Sequence, residues 1–134
     1  MTSPTRTAEV SALTPAAAAV HVCAVSQLTP ELGVAALVGD AQVALFLLDD
    51  GSLYAVQNLD PFSGASVMSR GITGSRGSIP TIASPIYKQV YSLLTGECLA
   101  TMDKEPKPGN EANLATYAVT QDNGQVYINL AGGE

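Results

Sequence analysis

Residues 42–57 read QVALFLLDDGSLYAVQ. Gln42 to Leu48 is an almost unbroken apolar run of strand length, and Leu53 to Gln57 is a second. Between them stands Asp49-Asp50-Gly51. Asp and Gly accept the positive φ that tight hairpins need, so the stretch predicts two antiparallel strands. The first run is too apolar for a strand with one wet face and reads as strongly buried.

The same grammar extends in both directions. Val20 to Val25 forms a strand-like run that includes His21 and Cys23, Gly33 to Val38 is apolar, and Gly39-Asp40 turns the chain. Beyond the central hairpin the pattern resumes at Thr81 to Ala83 and Gln89 to Leu94. Thr95-Gly96 then turns into Cys98 to Ala100. Residues 103–113, with two prolines and mixed charges, read as a surface loop. Leu114 to Thr120 and Gln125 to Leu130 flank Asp122-Asn123-Gly124, a second hairpin signal. No stretch carries a capped helical stripe. The expectation is an all-β domain of about eight to ten short antiparallel strands, a small sandwich or partly open barrel.

The chain has 134 residues, 46% of them apolar, enough for one domain with a real core. No apolar run approaches the ~18 residues of a membrane-spanning helix. A net charge of −6 argues against nucleic acid and against an anionic membrane surface. Cys23 and Cys98 form no zinc or C-x-x-C spacing. They read as two small buried hydrophobes in a reducing compartment, although a disulfide between them is possible. His21 is the only histidine. Residues 1–19, rich in Thr, Ser, Pro and Ala, read as a disordered tail of a cytoplasmic protein, with the domain at 20–130 and a short tail at 131–134.

Residues 58–80 break the pattern. Glycine, proline and serine dominate, and the segment reads as a long insert without regular structure, kept ordered by Phe62, Val67, Met68 and Ile72. From residue 61 to residue 96 there is no Asp or Glu, while Arg70, Arg76 and Lys88 fall inside that span. A local charge of +3 in an acidic chain suggests a patch that steers an acidic partner or holds an anion.

Asn58-Leu59-Asp60 and Ser84-Pro85-Ile86-Tyr87 stand where a Rieske domain carries C-x-H and C-P-x-H. An aromatic, Tyr91, and Thr95-Gly96 follow the second motif, as they do in Rieske domains. In finer detail, Asn58-Leu59-Asp60-Pro61-Phe62-Ser63-Gly64-Ala65, Ser69-Arg70-Gly71 and Ala83-Ser84-Pro85-Ile86-Tyr87-Lys88-Gln89 resemble the small subunit of assimilatory NAD(P)H-dependent nitrite reductase. The resemblance covers roughly residues 20–130. It implies a Rieske-like frame without its cluster, the former cluster loops lying within 58–96. It also implies a non-catalytic subunit that docks on a large subunit carrying FAD, an iron–sulfur cluster and siroheme. The whole enzyme of that family reduces nitrite to ammonium in nitrate and nitrite assimilation.

The residue chemistry agrees with the loss of the cluster. A Rieske centre needs two thiolates and two imidazoles. Asn58 and Ser84 offer neutral oxygens in place of the thiolates, and Asp60 and Tyr87 replace the imidazoles. Asp60, Ser84 and Tyr87 are expected to hydrogen-bond the two loops together, with Pro61, Phe62 and Pro85 filling the space. Phe62 and Tyr87 are expected to hold the loops against each other. The same tip, with Pro61, Phe62, Arg70, Arg76 and Lys88, is the expected docking surface. No catalytic, cofactor or metal residue is expected in this chain. The alternative function is a free-standing β interaction or regulatory module on the same frame.

Overall fold

The computed structural model describes residues 19–130. Ten strands follow in chain order: β1 (Ala19–Ala24), β2 (Val34–Val38), β3 (Ala41–Leu47), β4 (Leu53–Gln57), β5 (Ile72–Arg76), β6 (Ile79–Ala83), β7 (Val90–Ser92), β8 (Cys98–Ala100), β9 (Thr116–Asp122) and β10 (Gln125–Asn129). Two single 3₁₀ turns, Val25–Gln27 and Met68–Arg70, are the helical elements among the described residues. All strand pairings are antiparallel. One sheet runs β1-β10-β9-β4-β3-β2, and its edge strands β1 and β2 approach each other like the seam of a barrel. The second sheet runs β5-β6-β7-β8.

β3 explains how the two sheets share one chain. Side chains alternate between faces along a strand. Val43, Leu45 and Leu47 enter a core with Val38, Val126 and Ile128 inside the barrel. Ala44 and Phe46, on the other face, enter a second core with Val56, Phe62, Met68, Ile82 and Tyr91 beneath the smaller sheet. Both faces of β3 are covered, which is why residues 43–47 are apolar without interruption. The wall formed by β3 and β4 therefore fixes the small sheet, and the loops it carries, against the barrel.

The predicted strands are present, with ends shifted by one or a few residues. Ala19, expected in the tail, already pairs with Asn129 as the first residue of β1. The remainder of both expected tails lies outside the described residues. The larger correction concerns residues 58–80. This segment is expected to be without regular structure, yet it contains all of β5, the start of β6 and the two-residue turn Gly77-Ser78 between them. Gly77, at φ 61°, supplies the turn conformation. β5 has no apolar alternation because it pairs on one side only and is largely exposed.

Candidate functional site

Three loops meet at the free end of the small sheet. The first leaves β4 at Asn58, the second joins β6 to β7 through residues 84–89, and the third spans residues 101–113. Gly71 lets the first pass close to the end of β6, where the second begins: a Cβ there would lie 2.4 Å from the Ala83 carbonyl oxygen. No side chain fits at that distance.

Asn58, buried, organises the first loop from within. Its Oδ1 accepts from the Ser69 amide at 2.8 Å, and its Nδ2 donates to the Ser66 carbonyl at 3.2 Å. Asp60 has no exposed surface. Its Oδ1 accepts from the Phe62 amide at 2.9 Å, an Asx turn, and more distantly from Ser63. Its Oδ2 accepts from the Ser84 hydroxyl at 2.6 Å. This charge-assisted bond ties the first loop to the second. The Pro61 carbonyl accepts from the Lys107 amide at 2.9 Å and from Asn110 Nδ2 at 3.1 Å, bringing in the third loop.

Tyr87 does not join this network. It is 41% exposed, and the Lys104 ammonium lies 4.5 Å from its ring centre. The aromatic that faces Phe62 is Tyr91 on β7, with ring centroids 6.5 Å apart. The expected Phe62–Tyr87 clasp is thus a Phe62–Tyr91 contact. Position decides it: Tyr91 lies on a strand facing the core, whereas Tyr87 lies on the outer turn of a loop. Tyr91 is fully buried, and its hydroxyl has no hydrogen-bond partner. Burial, and after it the charge of Asp60, pushes the phenol far above its usual range. Gln89 beside it is also buried, donating to the Thr101 carbonyl at 3.3 Å and leaving its Oε1 without a partner.

Pro61 and Phe62, expected on the docking surface, are buried. Arg70, Arg76 and Lys88 are all exposed. Arg70 and Lys88 lie on the two loops. Arg76 is at the opposite end of β5, about 13 Å along the strand from Ile72. The exposed apolar residues at the tip are Ile86 and Tyr87, with Met102 on the adjoining loop. Only a three-dimensional arrangement could single out Met102 and Lys104, because they are far from the two motifs in sequence. Cys23 and Cys98, expected to be buried, are free and only half-buried because each lies on a strand at the sheet's margin, and burial raises both thiols.

This architecture defines a class. Residues 19–129 match the Rieske-like [2Fe-2S] domain family, and the chain belongs to it. Its relatives narrow the assignment to the small subunits of nitrite reductase. The NADH nitrite reductase small subunit of Escherichia coli K12 is 39% identical over 79 residues, 58% of this chain and 73% of that protein. A Mycobacterium tuberculosis crystal structure, described as an NADH-dependent nitrite reductase small subunit, aligns with a TM-score of 0.71 at 44% identity. That alignment covers 82% of this chain and 92% of the other. A Klebsiella oxytoca nitrite reductase large subunit is 34% identical over 108 residues, 80% of this chain. The chain spans only 10% of the length of that large subunit.

The family name implies an iron–sulfur cluster, and the tip does not fit one. The side chains of Asn58, Asp60 and Ser84 are engaged with one another or with backbone, and Tyr87 turns outward. The chain has one histidine and two cysteines, and His21 lies on β1, bonded to Gln125. Among the described residues, no three His, Cys, Asp or Glu side chains are grouped to hold a metal.

Proposed function

We propose that this chain is the non-catalytic small subunit of a cytoplasmic NAD(P)H-dependent nitrite reductase. In this reading it binds no cluster and docks through its loop tip on the large subunit, which carries FAD, an iron–sulfur cluster and siroheme and reduces nitrite to ammonium. The observation that carries the docking is the Klebsiella large subunit, in which a domain similar to this one is part of the same polypeptide as the rest. Two parts joined in one protein and separate in another are expected to work in contact.

Ile86 and Tyr87 form the apolar centre of the docking surface, and Arg70 and Lys88 its basic rim. Pro61 and Phe62 support it from beneath, and Arg76 is peripheral. The Asp60–Ser84 bond takes over the cluster's role as a link between the loops. The test is capture of the large subunit by the Arg70→Glu, Lys88→Glu double variant at two salt concentrations. Binding by the unaltered chain should weaken with salt, since exposed charges are screened over ~8 Å at physiological ionic strength. Binding by the folded double variant should fall at least tenfold, and undiminished binding would move the interface elsewhere. Iron and sulfide analysis of protein made anaerobically tests the absence of a cluster.

A further inference from the structure

β5 is an edge strand, and its outer edge is unguarded from Ile72 to Ser75. Pro80, opposite Ser75, has no amide hydrogen, and its carbonyl accepts from Leu93 on the far side of β6. Ser75 and Pro80 therefore form a non-hydrogen-bonded pair, and the Ser75 amide and carbonyl point away from β6. By the period of two, so do those of Thr73. Natural edges are usually blunted by lysine, proline or a bulge. β5 ends in the exposed Arg76, but the run Ile72-Thr73-Gly74-Ser75 before it has no charged residue and no proline, and its pairing with β6 shows no register shift. β1 and β2 face each other across the barrel seam, and β8 is three residues long, so β5 is the accessible edge with the length to pair.

This strand forms the lip of a cleft of about 740 Å³ between the small sheet and the β3–β4 hairpin. Glu31, Asp49 and Asp50 line the cleft, and no Lys or Arg does. Glu31 is spent internally, its carboxylate accepting from the Thr73 hydroxyl at 2.5 Å and from the Asp49 amide at 2.7 Å. Asp49 and Asp50 lie at the exposed hairpin tip, where Asp50 Oδ1 accepts from the Ser52 amide and hydroxyl and its Oδ2 faces outward with the Asp49 carboxylate. Leu32 and Ile72, 62% and 69% exposed, give the lip two apolar anchors.

We infer that the edge of β5 pairs with an extended segment of the large subunit that directs a lysine or arginine toward Asp49 and Asp50. Free backbone groups supply the pairing, Leu32 and Ile72 receive apolar side chains, and the acidic hairpin selects a basic one. This rests on the reading that the chain docks on the large subunit. It makes that partner bipolar, acidic opposite the basic tip and basic opposite the acidic cleft.

Hydrogen exchange on the purified two-subunit complex tests it. The Thr73 and Ser75 amides should exchange at least tenfold more slowly in the complex than in the small subunit alone. Ser75→Pro removes an outward amide without touching the β5–β6 ladder, and Asp49→Lys with Asp50→Lys reverses the hairpin charge. Each should weaken large-subunit affinity about tenfold. A stable complex with unchanged exchange at both amides, and full affinity in both variants, overturns the inference and leaves tip docking standing. Protection that appears in the small subunit alone, together with a doubled mass, overturns it in favour of a second copy. Failure of the large subunit to associate under any condition removes both readings.

Discussion

Asp60 and Tyr87 are counterparts. Each ends one of two short motifs that face each other across the tip, and each stands where the resemblance puts an imidazole. One has no exposed surface and holds three backbone or hydroxyl donors, while the other is 41% exposed and carries a lysine over its ring. The first loop has closed inward to form structure, and the second has opened outward to form surface. The Asp60–Ser84 bond links the two loops directly, without a metal between them. The outward side is the one proposed above to dock.

This division sets an order of effects. Phe62→Ala removes the first loop's main core contact and should cost ~3–5 kcal/mol in urea unfolding, the usual range for a buried aromatic. A cost below ~1 kcal/mol would place Phe62 on the surface and break the division. Asp60→Ala leaves the Ser84 hydroxyl and the Phe62 amide without an acceptor and should cost about 2–3 kcal/mol. Ser84→Ala removes the bond to Asp60 and the acceptor of the Ile86 amide, and should cost about 1–2 kcal/mol. The two together should cost less than their sum, because they share an interaction. Strict additivity would mean that the Asp60–Ser84 bond carries no energy of its own.

On the outer side, Tyr87→Ala should change stability by less than ~0.5 kcal/mol, as exposed substitutions do, while weakening capture of the large subunit. Equal losses in both measurements would show that Tyr87 is structural after all. Smallest at neutral pH is Tyr91→Phe, because the deleted hydroxyl has no partner. Its effect lies in alkali. The folded phenol is raised, so above the unfolded pKa of ~10 the unfolded state releases a proton that the folded state retains. The stability tied to the neutral phenol is full below pH ~10 and falls as pH rises from there. Tyr91→Phe should flatten that alkaline limb in melts between pH 9 and 11. An unchanged limb would assign it to the other tyrosines.

Much of the frame was legible. The β3–β4 and β9–β10 hairpins follow from Asp49-Asp50-Gly51 and Asp122-Asn123-Gly124, because turn chemistry and strand runs are local. The incompatibility with a Rieske cluster is also local, since one histidine cannot supply two imidazoles. β5 was hidden because a one-sided, solvated strand of Ile, Thr, Gly and Ser has no signature distinct from a loop. The Asp60–Ser84 bond was anticipated as part of a network, but Tyr87's exclusion from it was not.

Residue identity alone therefore determined the strand class, the two tight hairpins and the missing ligand set, because each depends on neighbours in sequence or on composition. Tertiary structure decided which aromatic meets Phe62, which expected docking residues are buried, and that β5 lines an acidic cleft. Those depend on which face of a strand the wall of β3 and β4 covers. Pairing between segments tens of residues apart settles that, and no local propensity encodes it.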